Sequence, residues 1–217
     1  MMTRAYNELY LSDAMDSLGE MLDYAVNGRG LELGDFYRRF LASGIADAFG
    51  QACPKYLGGM SGIELAEAVL QRTGESPDEV KYTQGPPYKE YWCGWTLAYL
   101  QWYTGLSFAY IDSHGLPIEL LADMYHPLHE ADVHKTVDMA LERIRAFNAA
   151  APNPVKVRRK ALGLTQKELA RRCGITLRMV QAYEQGRQDL GKAEASTMLN
   201  LARVLCCRPE ELVNSAA

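Results

Sequence analysis

At 217 residues and 24.3 kDa the chain suits two small domains or one mid-sized one, and 48% hydrophobic residues with 5 Phe, 3 Trp and 13 Tyr exclude a disordered polypeptide. The apolar runs fall short of the ~18 residues of a bilayer span, and Met1 to Asp16 is too charged for a signal peptide, so a cytoplasmic protein without a membrane partner is expected. The net charge of −4 conceals an uneven split, because residues 1–151 hold 11 Lys and Arg against 21 Asp and Glu, and residues 152–217 hold 12 against 6. A short basic segment on a long acidic one suggests that only one end meets a polyanion.

In chain order, Leu11, Met15, Leu18, Leu22 and Ala25 recur three and four apart and predict a helix ending at Asn27-Gly28. A second helix is expected from Asp35, as cap, through Phe36, Phe40 and Leu41 to Gly44. Ser61 and Glu64 have capping-box spacing and open a third, with Leu65, Ala66, Val69 and Leu70 turned inward. Gly74 to Pro87 reads as loop. Helices follow at Tyr88–Thr104, Pro117–Tyr125 and Glu130–Phe147, with Leu106–Ile111 as a short extended piece. Pro152 and Pro154 bias their predecessors away from helix, so residues 149–154 read as a semi-rigid linker. The resulting organisation is mainly α: an acidic helical domain for regulation or partner binding over 1–148, the linker, and a basic domain over 155–217.

The acidic half is densest in aromatics between Tyr82 and Tyr110, which include all three tryptophans. Trp92, Trp95, Tyr99, Trp102 and Tyr103 fall three and four apart on one helical face. Two readings stand: a bulky core stripe, or a pocket or docking face for a ligand or partner. On the second reading, Trp92 and Trp95 are mostly buried and the exposed contacts lie nearer Trp102 and Tyr103. His126, His129 and His134, with Glu130 and Asp132, invite a metal reading, but Pro127 interrupts the first pair and the spacing is not HExxH, so no metal and no cofactor are expected. Five cysteines without CxxC spacing fit neither a disulfide framework nor a zinc ribbon, and Cys93, Cys206 and Cys207 sit among apolar residues as core. With no P-loop, GxGxxG or nucleophile elbow, no catalytic residue is assigned and an enzyme is not expected.

The basic half carries the specific pattern. A first helix ends at Leu162-Gly163, and Thr165 caps a second over Gln166–Cys173. Gly174 makes the turn, Thr176 caps a third helix to Glu184, and Gly186 ends it. Two short helices around such a turn form a helix-turn-helix, whose second helix enters the major groove. Leu164-Thr165-Gln166, Glu168-Leu169-Ala170, Gly174-Ile175, Tyr183-Glu184-Gln185-Gly186-Arg187 and Leu201-Ala202 with Leu205 resemble the Cro/C1-type (XRE) helix-turn-helix family over about 60 residues. The resemblance implies a five-helix lambda-repressor-like DNA-binding domain. Between Gly186 and the last helix this chain holds about three residues more than that family's usual spacing.

Within the motif, Gln166 at a helix N-terminus suits a phosphate. Thr176, Leu177, Arg178, Gln181 and Ala182 lie on or near the groove side, while Val180 and Tyr183 turn inward. Arg178 can bond a guanine N7/O6 pair or only a phosphate, Gln181 suits adenine, and Leu177 and Ala182 suit thymine methyls. Arg187 is a further DNA contact, and Arg158, Arg159, Lys160, Arg171 and Arg172 are phosphate candidates. Segments of the first half, Ser12–Met21, Phe36–Gly44, Pro54–Ala66, Glu90–Trp95 and Gln101–Thr104, resemble the N-terminal extension of some bacterial XRE-type regulators. Such regulators often serve as antitoxins, which is what the resemblance implies. The expectation is a sequence-specific DNA-binding transcriptional regulator, a repressor, homodimeric on an operator in double-stranded DNA. The acidic half then meets a toxin protein, as in an autoregulating antitoxin, or alternatively senses a ligand or peptide through its aromatics.

Overall fold

The computed structural model describes residues 4–75, 82, 88–150 and 152–212, which fall into two compact units divided between Ile144 and Arg145. Among the described residues both are mainly α, without a strand.

The first unit is arranged around α1 (Leu11–Asp23), preceded by a 3-10 turn at Glu8–Tyr10 and ending in a π-helical turn at Tyr24–Gly28. Met15, Leu18, Leu22 and Ala25 of the predicted stripe are buried, and Leu11 at its start is half-buried. Asp23 is buried beside it, and its carboxylate is satisfied by the Tyr82 hydroxyl and by the Asn27 amide at 2.7 Å. The second helix, α2 (Leu33–Ala42), begins three residues early: Glu32 caps it by accepting from the Asp35 N–H at 2.9 Å, and Asp35 is only a first-turn residue. Gly44 (φ 73°) leads at once into α3 (Ile45–Gly50), followed by the short α4 (Pro54–Leu57).

The capping box opens α5 (Gly62–Arg72) as predicted. Ser61 Oγ accepts from the Glu64 N–H at 3.2 Å, and Glu64 accepts from the Ser61 N–H at 2.8 Å. Apart from Gly74, Glu75 and Tyr82, the loop expected over Gly74–Pro87 lies outside the described residues. Next, α6 (Lys89–Thr104) is buried on most sides. Where an extended piece was expected at Leu106–Ile111 the chain forms α7 (Phe108–Ser113), because the Ser107 hydroxyl caps the Tyr110 N–H at 3.1 Å and Phe108 and Ile111, three apart, both face the core. The unit continues through α8 (Ile118–Asp123), α9 (Tyr125–Leu128, non-helical at His126) and α10 (Val133–Ala150).

Two backbones approach α1 where only glycine fits. A Cβ on Gly94 of α6 would stand 2.1 Å from the Leu18 carbonyl oxygen, and one on Gly62 would stand 2.5 Å from that of Ser17. The Gly62 N–H also donates to Glu20 at 2.7 Å, which ties the start of α5 to the middle of α1.

The second unit holds α11 (Pro154–Ala161), α12 (Gln166–Cys173), α13 (Leu177–Glu184) and α14 (Ala195–Val204), closed by a 3-10 turn at Pro209–Leu212. The segment read as linker overlaps its neighbours: α10 reaches Ala150, Asn153 caps α11, and Pro154 is that helix's first residue, where a missing N–H costs nothing. Ala151 lies outside the described residues. Val155, Leu169, Val180, Tyr183, Leu201 and Leu205 form the core. The additional residues after Gly186 fold into a 3-10 turn, Leu190–Lys192, which buries Leu190 and is capped by Asp189. Cys93 is buried and Cys207 half-buried, but Cys206 is exposed, contrary to expectation. It takes the left-handed position (φ 52°) that ends α14, where the Cys207 N–H reaches back to the Ala202 carbonyl at 3.0 Å.

The crossing at Gly94 gives a direct test. Gly94→Ala is expected to cost about 3 kcal/mol and to lower the Tm of the first unit by roughly 6–12 °C. Tryptophan fluorescence reports on this unit, since Trp92, Trp95 and Trp102 all lie in α6. Gly58→Ala, with nothing within 4 Å of the added Cβ, is expected to melt like the parent.

Candidate nucleic-acid interface

Local chemistry sets each end of the helix pair. Thr165 and Glu168 form a reciprocal capping box on α12, with N–H to oxygen distances of 3.2 and 2.7 Å. The Thr165 backbone and hydroxyl bonds hold the Glu168 carboxyl below the usual glutamate range. Gly174 (φ 70°) makes the turn, and the Thr176 hydroxyl accepts from the Met179 N–H at 3.2 Å to start α13. Gly186 (φ 67°) ends it and sends the chain back along the helix, with the Arg187 and Gln188 N–H groups on the Ala182 carbonyl at 2.9 and 3.3 Å.

Val180 and Tyr183 anchor α13 in the core, as predicted. The opposite side is open. Thr176, Arg178, Gln181, Ala182 and Arg187 line one recess of about 530 Å³ together with Met179, Gln185 and Gln188. Arg178 and Arg187 are exposed and form no ion pair among the described residues. The recess therefore presents two free guanidiniums beside amide groups, the donor set that reads base edges and grips phosphate.

Gln166 and Leu177 are placed elsewhere. Leu177 is half-buried outside the recess, and the Gln166 side chain donates to Glu184 at 2.7 Å. Met179, Gln185 and Gln188 were not singled out in the sequence. The signal for the last two was Gly186, whose left-handed turn brings both flanks back beside α13.

The buried side of α13 carries an ion pair. Arg159 Nε meets Glu184 Oε1 at 2.5 Å and its Nη2 meets Oε2 at 3.1 Å, while Nη1 donates to the Leu164 carbonyl at 2.7 Å. Arg159 is thus a structural residue and not a phosphate contact; the side chains of the pair are only 11% and 2% exposed. Arg158 pairs with Glu211 at 2.7 Å, and Lys160, Arg171 and Arg172 remain exposed. Burial alone would raise the Glu184 pKa, but the bonds from Arg159 and Gln166 outweigh it and hold the carboxyl below the ordinary glutamate range.

The aromatic stripe departs in part from its expected exposure. Trp102 and Tyr99 are buried, and Trp92, Trp95 and Tyr103 are half-buried. The N-terminal segment covers the Trp102 end, because the Trp102 indole N–H donates to the Tyr6 carbonyl at 2.8 Å and the Arg4 guanidinium lies 4.7 Å over Trp102 and 3.8 Å over Tyr103. The Tyr99 hydroxyl meets His134 Nε2 at 2.9 Å, and His134 Nδ1 meets Asp132 at 2.8 Å. His126 and His129 come together despite Pro127, ring centres 4.7 Å apart, but among the described residues no group of three or more metal-ligating side chains assembles.

Residues 155–212 match the family model described as helix-turn-helix. This segment is a Cro/C1-type helix-turn-helix domain. Its helices and turn lie where that family's pattern places them, and the family is one of DNA-binding transcription regulators. No curated protein and no solved structure matches the chain. No helix among the described residues is long and apolar enough to cross a membrane.

The ion pair predicts acid sensitivity of the helix-turn-helix domain. A depressed folded-state pKa means the Glu184 contribution is complete above the unfolded value of about 4.3 and is lost as pH falls through the folded value. Calorimetry is expected to show Glu184→Ala destabilising the domain by about 3–5 kcal/mol, whereas replacing both partners by apolar residues restores most of that loss. A single variant as stable as the parent contradicts the assignment.

Proposed function

We propose that the protein is a sequence-specific transcriptional repressor that acts in the cytoplasm, binding a palindromic operator as a homodimer through residues 155–212. The observation that carries this reading is the recess along α13, with Arg178 and Arg187 unpaired on either side of Gln181 and Ala182. Arg178 bonds a guanine N7/O6 pair, Gln181 an adenine, and Ala182 packs on a thymine methyl. Arg187, on the returning chain, takes a phosphate. One helix with so few base-reading side chains gives little specificity, so two copies read half-sites one helical turn, about 34–36 Å, apart. The acidic first unit repels DNA and leaves its surface for regulation or a partner. A toxin as that partner rests on the family resemblance of the first half. Burial of Tyr99 and Trp102 disfavours the alternative of an aromatic ligand pocket.

Gel-shift titration on the protein's own promoter tests the reading. Arg178→Ala is expected to cost roughly 1–3 kcal/mol and to relax specificity at one base pair, while Arg187→Ala weakens all sequences alike and reduces the salt slope by about 1. Parent-like affinity and specificity in Arg178→Ala, or a strict monomer protecting one half-site, contradicts it.

A further inference from the structure

The first unit carries a surface groove with two chemically different ends. At one end Asp13, Asp16 and Glu20 stand at successive turns of α1 around a recess of about 460 Å³, faced by Met60 and Tyr91. The Tyr91 hydroxyl donates to Asp16 at 2.8 Å and Glu20 accepts from the Gly62 N–H, but among the described residues no lysine or arginine pairs with any of the three carboxylates. Asp13 and Gly58 also line a second recess of about 520 Å³, so the two adjoin. That second end is apolar, walled by Tyr6, Tyr10, Pro54 and Leu57. Tyr10, on its wall, is 52% exposed, and the preceding Leu9 is 85% exposed, two large apolar side chains that the fold leaves in water. Tyr6 itself is 9% exposed, and among the described residues its buried hydroxyl has no hydrogen-bond partner.

We propose that this groove docks a basic and apolar peptide segment of a partner protein. An apolar side chain seats between Tyr6, Tyr10, Pro54 and Leu57, and lysine or arginine side chains follow along Asp13, Asp16 and Glu20. Charge complementarity argues for this occupant. Among the described residues the carboxylates lack cations of their own, and the 11 to 21 charge imbalance of residues 1–151 draws basic segments toward the surface. From Asp13 to Glu20 the helix rises about 10 Å, the span of three helical side chains spaced three and four apart. A small polyamine fills only the acidic end, a neutral ligand only the apolar end, and DNA is repelled. The proposal does not depend on DNA binding.

Fluorescence anisotropy of the full chain with a labelled twelve-residue probe tests it, the probe carrying a Leu-Phe pair followed by three lysines spaced three and four apart. Binding is expected to weaken at least tenfold in Asp13→Lys/Asp16→Lys, and several-fold in Tyr10→Ser, while Arg178→Ala binds as the parent. The same probe with glutamates for lysines is expected not to bind. Tryptophan-fluorescence melts check folding, and Asp13→Asn/Asp16→Asn serves if the lysine pair does not fold. Absence of probe binding by the parent, unchanged binding by the aspartate variants, or spermidine competing as well as the peptide overturns the proposal. So does a dimer that becomes monomeric on aspartate replacement, since the groove then holds a second copy of this chain.

Discussion

The carboxylate of Glu184 ties three helices of the DNA-binding domain to one point: α11 through Arg159, α12 through Gln166, and α13, which carries it. Removing two charges from water is costly, and an apolar pair of the same volume stabilises a fold as well or better. What the ion pair supplies is direction. A guanidinium fork on a carboxylate accepts one geometry, and a Leu-Leu contact accepts many. With the roll of α13 fixed from beneath, Val180 and Tyr183 face inward and Arg178, Gln181 and Ala182 outward, which is the condition for reading bases at hydrogen-bond precision.

The first unit solves a different problem, that of a large core. It crosses α1 with α6 and α5 at backbone distance through Gly94 and Gly62, and it carries bulky aromatics along the rest of α6. Those aromatics are then covered locally. Arg4 lies over Trp102 and Tyr103, the Tyr6 carbonyl takes the Trp102 indole N–H, and His134 takes the Tyr99 hydroxyl. These contacts bond the Trp102 indole N–H and the Tyr99 hydroxyl and cover one face of the Tyr103 ring.

What was legible in the sequence was what local chemistry decides. Thr165 with Glu168, Thr176, Gly174 and Gly186 each act within four residues, and the helix-turn-helix appears where they put it. Contacts distant in sequence were not legible. In the run Arg158-Arg159-Lys160 the three cations look alike, yet only Arg159 finds Glu184, 25 residues on. Its position four after the buried Val155 was the available hint. Trp102 was misjudged for the same reason, since its cover comes from Tyr6 and Arg4, nearly a hundred residues earlier. Leu106–Ile111 is too short a run to separate a helical period from an alternating one, and the Ser107 cap decided it.

Dimethyl sulfate protection on the protein's own promoter probes guanine N7 in the major groove, the atom proposed to accept from Arg178. The account predicts two protected guanine clusters related by a two-fold axis and one helical turn apart, with adenine N3 in the minor groove left reactive. Protection confined to the minor groove, or none at guanine N7, would contradict it.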